Sequence, residues 1–240
     1  MKKDRVIKIE GVEYIEDGKI LLRVPDEECF VHLTIMDGTK EIGPYALANC
    51  DSLKTVTIPG SVTSIGEGAF LGCDSLKTVT IPDGVTEIGE LTFIDCEALE
   101  SVVIPNSVTS IGDEAFYGCH RLKSVTIPDS VTEIGEDAFR GCDCLETVTI
   151  PGSVTRIGDG AFRSCKGLRS VTLQPGVREI GYDAFRDCTC LESVTIPDGV
   201  TEIGGCAFRN CGKLLTLDVP DSVTKIGDCA FYMCPASDQW

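Results

Sequence analysis

Fourteen cysteines and only two histidines stand out in this 240-residue chain. Residues 139–146 read FRGCDCLE and 185–192 read FRDCTCLE, each with two thiols one residue apart. Paired thiols suit zinc or disulfide exchange, but a structural zinc needs four converging ligands, usually from Cys-x₂₋₄-Cys pairs. Counting along the chain separates the pairs. Cys50, Cys73, Cys96, Cys119, Cys142, Cys165, Cys188, Cys211 and Cys234 recur every 23 residues, whereas Cys144 and Cys190 are extras. A small buried residue is the expected role of the nine. Cys206 and Cys229 share a place in successive units and are the one pair to test for a bridge. So many unpaired thiols suit a reducing setting. Nucleophilic catalysis needs a base beside the nucleophile. His32 and His120 lie nearly four units apart and at different places in the unit. No catalytic residue, metal site or cofactor is expected, and the chain reads as a non-enzyme.

The 23-residue interval organises the whole chain. Nine units begin at Phe30, Leu53, Leu76, Leu99, Leu122, Leu145, Leu168, Leu191 and Leu214, with no insertion or deletion between them. The unit from Leu122 to Cys144 reads LKSVTIPDSVTEIGEDAFRGCDC. Counting from its first residue, positions 4, 6, 13 and 18 are apolar, position 10 is valine except for Thr39, position 13 is always isoleucine, 14 always glycine and 21 always cysteine. Positions 3–6 alternate small polar with β-branched residues, the period of a half-buried strand. Proline at position 7 in seven units then stops the ladder, because it has no N–H. Positions 10–13 predict a second short strand, and the invariant glycine a backbone bend. The acidic residue that usually follows, with Ala138, Phe139 and Cys142 spaced for one face, predicts one or two helical turns.

Such a unit cannot bury its apolar residues alone, so the units must stack, each position becoming a column. The alternation of Lys77, Glu100, Lys123, Glu146, Arg169 and Glu192 at position 2 fits that stacking, since within this run like charges do not meet. The division expected is a capping hairpin over 1–29 with an Asp17-Gly18 turn, a solenoid over 30–236, and a tail over 237–240 in which Trp240 could cover the last coil.

The pattern LxxVxIPxxVxxIGxxAFxxC, carried by all nine units with few departures, resembles that of the BspA-like, treponemal-type leucine-rich repeat family. The resemblance implies an α/β repeat: a right-handed leucine-rich-repeat solenoid with a parallel β-sheet on its concave face, short second strands and short helical turns. It also implies a protein-binding role, often as a bacterial surface adhesin, and brings no catalytic residues.

Three surfaces follow from the register. Outward strand positions 3 and 5 give His32, Thr34, Thr55, Thr57, Thr78, Thr80, Ser101, Val103, Ser124, Thr126, Thr147, Thr149, Ser170, Thr172, Ser193 and Thr195 as the binding face. Position 19 gives Arg140, Arg163, Arg186 and Arg209, a second stripe for an acidic partner unless Asp137, Asp159 and Asp183 pair with it. Threonine columns at positions 5 and 11 would be the basis of a remote alternative, ice binding. Acidic residues outnumber basic ones 38 to 21, a net charge of −17 that disfavours nucleic acid and anionic lipid. No run is long enough to insert in a membrane. The expected partner is a protein of unknown identity, with self-association through the last coil as a second contact. The amino terminus lacks an apolar signal core. It reads as cytoplasmic as written, or as a cell-surface or secreted adhesin for host glycoprotein or glycan if a leader has been removed.

Overall fold

A computed structural model describes residues 6–15, 18–25, 30–215 and 217–235. The alternating stretch at positions 3–6 forms the first strand of a coil. These strands are β4 (His32–Thr34), β6 (Thr55–Thr57), β8 (Thr78–Thr80), β10 (Ser101–Val103), β13 (Thr147–Ile150), β15 (Ser170–Leu173) and β17 (Ser193–Thr195). They pair in parallel and in register as a four-stranded sheet, β10-β8-β6-β4, and a three-stranded sheet, β13-β15-β17. The second stretch gives two-residue strands at positions 12–13 of all nine coils: β5 (Glu41–Ile42), β7 (Ser64–Ile65), β9 (Glu87–Ile88), β11 (Ser110–Ile111), β12 (Glu133–Ile134), β14 (Arg156–Ile157), β16 (Glu179–Ile180), β18 (Glu202–Ile203) and β19 (Lys225–Ile226). Every one of these that pairs with its neighbour in the array does so in parallel.

The remainder of each coil departs from the helical expectation. Among the described residues positions 14–21 form hydrogen-bonded turns and no α-helix. In the fourth coil the N–H groups of Glu114, Phe116 and Gly118 donate to Glu136, Ala138 and Arg140 of the next coil, at 2.7–2.9 Å. Those of Ala115, Tyr117 and Cys119 donate three residues back, to Gly112, Glu114 and Phe116, at 3.1–3.3 Å. Alternate donors therefore leave the coil, which a helix does not permit. The conformation responsible is left-handed at positions 16 and 20 in all nine coils, from Tyr45 (φ 54°) and Asn49 (φ 58°) to Cys229 (φ 59°) and Met233 (φ 58°). Glycine, asparagine and aspartate dominate position 20, the residues that adopt this region most readily. That column was a legible signal that apolar spacing alone concealed.

The glycine at position 14 also has a different reason from the bend expected of it. No positive φ is found at any of these nine glycines. A Cβ on Gly135 would lie 2.6 Å from the Asp113 nitrogen, and one on Gly158 2.3 Å from the Gly135 oxygen. Close approach of successive backbones, not turn conformation, disfavours a side chain at most of these positions; Gly89, with nothing nearer than 3.7 Å, is the exception.

Inside, the columns predicted from sequence are continuous. Eight phenylalanines from Phe70 to Phe231 stack with ring centroids 5.1–5.8 Å apart and planes within 12°. Ala138, Phe139 and Cys142 are fully buried, as their spacing required, although the backbone beneath them is not helical.

At the amino end, β1 (Ile7–Ile9), β2 (Val12–Ile15) and β3 (Ile20–Arg23) form an antiparallel meander. The Glu10-Gly11 turn between β1 and β2 has positive φ at both residues (48° and 88°), as two-residue hairpins favour. This first strand was not anticipated; Glu-Gly between apolar pairs was its signal. β3 then pairs in parallel with β5, and the Gly43 and Lys40 N–H groups donate to Leu21 and Lys19 oxygens. Asp17, expected in the turn before β3, and the tail with Trp240 lie outside the described residues.

Candidate functional site: the outward strand face

Because successive side chains on a strand point to opposite sides, Val56, Val79, Val102 and Val148 turn inward while positions 3 and 5 turn out. Thr55, Thr57, Thr78, Thr80, Ser124, Thr126, Thr147, Thr149, Thr172, Ser193 and Thr195 are exposed, with Ser101 and Ser170 half-buried. His32 and Thr34 are exposed at the first coil, where the His32 Nδ1 lies 2.7 Å from the Thr55 hydroxyl. Val103 interrupts the hydroxyls with an apolar side chain 57% exposed. The face is thus a grid of hydroxyls and methyls, one row per coil. Along one edge the position 2 charges meet as the register demands: Lys123 reaches Glu100 at 2.6 Å and Arg169 reaches Glu192 at 3.3 Å. Hydrogen bonding to Lys123, then its charge, lowers the Glu100 pKa.

The arginine stripe on the turn face is engaged locally. Arg140 pairs with Asp137 at 3.0 Å and lies over the Tyr117 ring; Arg209 lies over Tyr232. Arg163 and Arg186 share the Asp183 carboxylate, both at 3.1 Å, and Asp183 is buried. Asp159 serves Arg156 instead of Arg163. The position 11 threonines are likewise used within the stack. The hydroxyls of Thr109, Thr132 and Thr201 donate to the oxygen of the residue one coil back at 3.1–3.2 Å. A serine column at position 9, not singled out from the sequence, does the same: Ser107, Ser130 and Ser222 donate to Val85, Val108 and Val200 at 2.6–2.8 Å.

The nine column cysteines are buried, and no disulfide links the described cysteines. From Cys73 to Cys211 each thiol donates to the position 18 oxygen of the preceding coil at 3.1–3.4 Å, for example Cys96 to Phe70 at 3.1 Å. The Phe70 oxygen also accepts the Cys73 N–H, so both its lone pairs are used. Burial pushes the Cys96, Cys119, Cys142, Cys188 and Cys211 thiols well above their ordinary range. Cys144 and Cys229 are exposed, Cys190 half-buried and Cys206 buried. His120 meets Asp143 at 3.2 Å, far from His32 in the array. The described residues bring together no group of three or more metal-ligating side chains suited to a metal ion.

Nine stacked parallel coils with a turn face built on left-handed residues and an outward strand grid define a leucine-rich-repeat solenoid. A profile of the BspA type leucine rich repeat region matches residues 27–146 and 109–238, in six copies, and the chain belongs to that family. Its fold is similar to that of a leucine-rich repeat protein from Bacteroides ovatus, with 30% identity, a TM-score of 0.76, and 98% of this chain and 68% of that one covered. It is also similar to the T. pallidum leucine rich repeat protein, at 25% identity and TM-score 0.57, covering 97% and 87%. The pneumococcal vaccine antigen PcpA shares the fold at 18% identity and TM-score 0.51, covering 95% and 78%. Comparison with curated proteins returns no match.

Proposed function

We propose that the chain is a non-catalytic protein-binding scaffold whose contact surface is the concave strand face. The observation that carries this reading is the division of labour among its polar side chains. Hydroxyls at positions 9 and 11 and most of the position 19 arginines are engaged within the stack. Those at positions 3 and 5 face outward with few partners inside the protein. A wide, nearly uncharged grid of threonines suits an extended polar partner that hydrogen-bonds to several coils at once, with His32 and Val103 as the points of distinction. The test selects binders from a displayed peptide library against the wild type, then measures them against Thr80→Glu/Thr126→Glu/Thr172→Glu. Loss of binding to that variant, with retention by Lys166→Glu/Lys213→Glu on other faces, is expected. Binders that tolerate charge at all three threonines would place the contact elsewhere.

A second contact surface is favoured by the last coil. Ile226, Tyr232 and Met233 are 43%, 54% and 61% exposed and line one cleft with Phe231, on the side that every other coil covers with its successor. Self-association through this surface would raise the mass measured by light scattering with concentration, and Ile226→Glu/Met233→Glu would abolish the rise.

A further inference from the structure

The stack is not uniform, and its irregularities fall at two junctions, between the second and third coils and between the fifth and sixth. On the concave side β6 and β8 share a single register pair, Thr55↔Thr78, where β4 and β6 or β8 and β10 share three. In this ladder the fifth coil pairs with the fourth through the isolated Ser101↔Ser124 bridge, and no register pair joins it to β13 of the sixth. The backbone bond at position 2 is 2.8 Å between the sixth and seventh coils (Arg169 to Glu146) but 3.5 Å between the fifth and sixth (Glu146 to Lys123).

The second ladder thins at the same junction. The position 11 N–H donates one coil back from Thr63, Thr109, Thr132, Arg178, Thr201 and Thr224, at 2.8–3.0 Å, but not from Thr86, at the second–third junction, or from Thr155. β12 and β14 keep only Ile134↔Ile157, and at the second–third junction β7 and β9 share no register pair. Clefts of about 400 Å³ and 440 Å³ open on the two strand sides of the fifth–sixth junction, the first beside Thr126 and Thr149, the second beside Thr132 and Thr155. On the turn side the same two coils stay closed: Asp137, Phe139 and Gly141 donate to Asp159, Ala161 and Arg163 at 2.7–2.9 Å, and Phe139 and Phe162 stack at 5.1 Å.

At the fifth–sixth junction one residue in the seventh coil bears on the asymmetry. Gln174 stands at position 7, where seven coils have proline. Retaining an N–H, it donates to Ile150 at 2.9 Å and accepts from Gly152, so that β13 and β15 each run to four residues. Gly152 and Gly176 permit this approach, since a Cβ on either would lie 2.0 Å from a backbone oxygen of the other coil. The sixth coil is drawn onto the seventh and away from the fifth.

We infer that the junction between the fifth and sixth coils is a hinge, closed along the turn face, opening along both strand sides, and set in place by Gln174. It divides the concave face into facets of four and three strands whose mutual tilt can change. A backbone amide without a protein partner exchanges with solvent by smaller openings than its bonded counterparts. Residue-resolved hydrogen exchange on the full chain is the test. The amides of Thr147 and Thr155 are expected to exchange at least about tenfold faster than their counterparts Ser170 and Arg178, while Asp137, Phe139 and Gly141 exchange as slowly as Gly160, Phe162 and Ser164. Equal protection of Thr155 and Arg178, or fast exchange on the turn side as well, would overturn the hinge. In Gln174→Pro, slower exchange at Thr155 is expected as the sixth coil relaxes back; an unchanged rate there would overturn the part assigned to Gln174.

Discussion

A buried thiol donates weakly, yet in this array it is the side chain that fits. At position 21 it fills the volume beside a stacked phenylalanine and carries its hydrogen to a carbonyl one coil away. Replacing Cys142 by alanine removes both, and a loss of about 1–2 kcal/mol is expected from urea unfolding. Reactivity follows the same geometry, because the thiolate is the attacking form and burial suppresses it. Among the described cysteines, alkylation of the native protein followed by peptide mass spectrometry should modify Cys144 and Cys229 first, and Cys119, Cys142 and Cys188 only in denaturant. Early labelling of Cys142 would show that the column is not closed. The Glu100–Lys123 pair gives a pH signature. Its carboxyl ionises at lower pH in the folded chain than in the unfolded one, so the pair's contribution is complete above the ordinary glutamate range. It is lost as the pH falls through the lowered value. Lys123→Gln should bring the Glu100 titration midpoint, followed by NMR, upward; an unmoved midpoint would mean that Lys123 does not cause the shift.

At the scale of elements, each coil is two strands and a turn segment held by different rules. The strands were legible because their period of two is unambiguous and proline marks where the first one ends. The turn segment was not, because Ala138, Phe139 and Cys142 are spaced alike for a helical face and for a chain with left-handed residues at Asp137 and Gly141. Apolar spacing reports which side chains are buried; it does not report where alternate N–H groups go. The site was legible to the same degree. Register alone assigned Thr80, Thr126 and Thr172 to the outside, whereas the serine ladder at position 9 and the sharing of Asp183 by Arg163 and Arg186 depend on distances between coils. Two substitutions separate the forces at work. Phe139→Ala, in the middle of the ring stack, should cost about 3–5 kcal/mol in unfolding free energy. Gly135→Ala should cost about 1–3 kcal/mol because its Cβ meets backbone. Gly212, with open space around it, is the control, and Gly212→Ala should be close to neutral. A neutral Gly135→Ala would show that the coils can separate freely.

For the molecule as a whole, the equal length of the units has a direct consequence. Each coil contacts chiefly its neighbours, so stability is nearly a sum of coil and junction contributions. Removing residues 99–121, one complete coil, should leave a folded solenoid shorter by about 4.8 Å along its axis, measurable by small-angle scattering. Removing half that length should disrupt it, since every column would lose register. A cooperative, native-like half-unit deletion would contradict the column description. The cysteine column carries a further meaning at this scale, one of time. Once stacked, the column thiols are buried away from any oxidant in solution; while the chain is being made or is recovering from denaturation, they are spaced 23 residues apart and equivalent. Oxidation in that interval can join any of them to any other, and a crosslink between coils that are not neighbours forbids the parallel stack. Refolding from urea should therefore be complete with a reductant present and should fall steeply under a glutathione disulfide buffer, while the same buffer leaves the folded protein intact. The array is resistant to oxidants in its finished state and vulnerable only on the way to it.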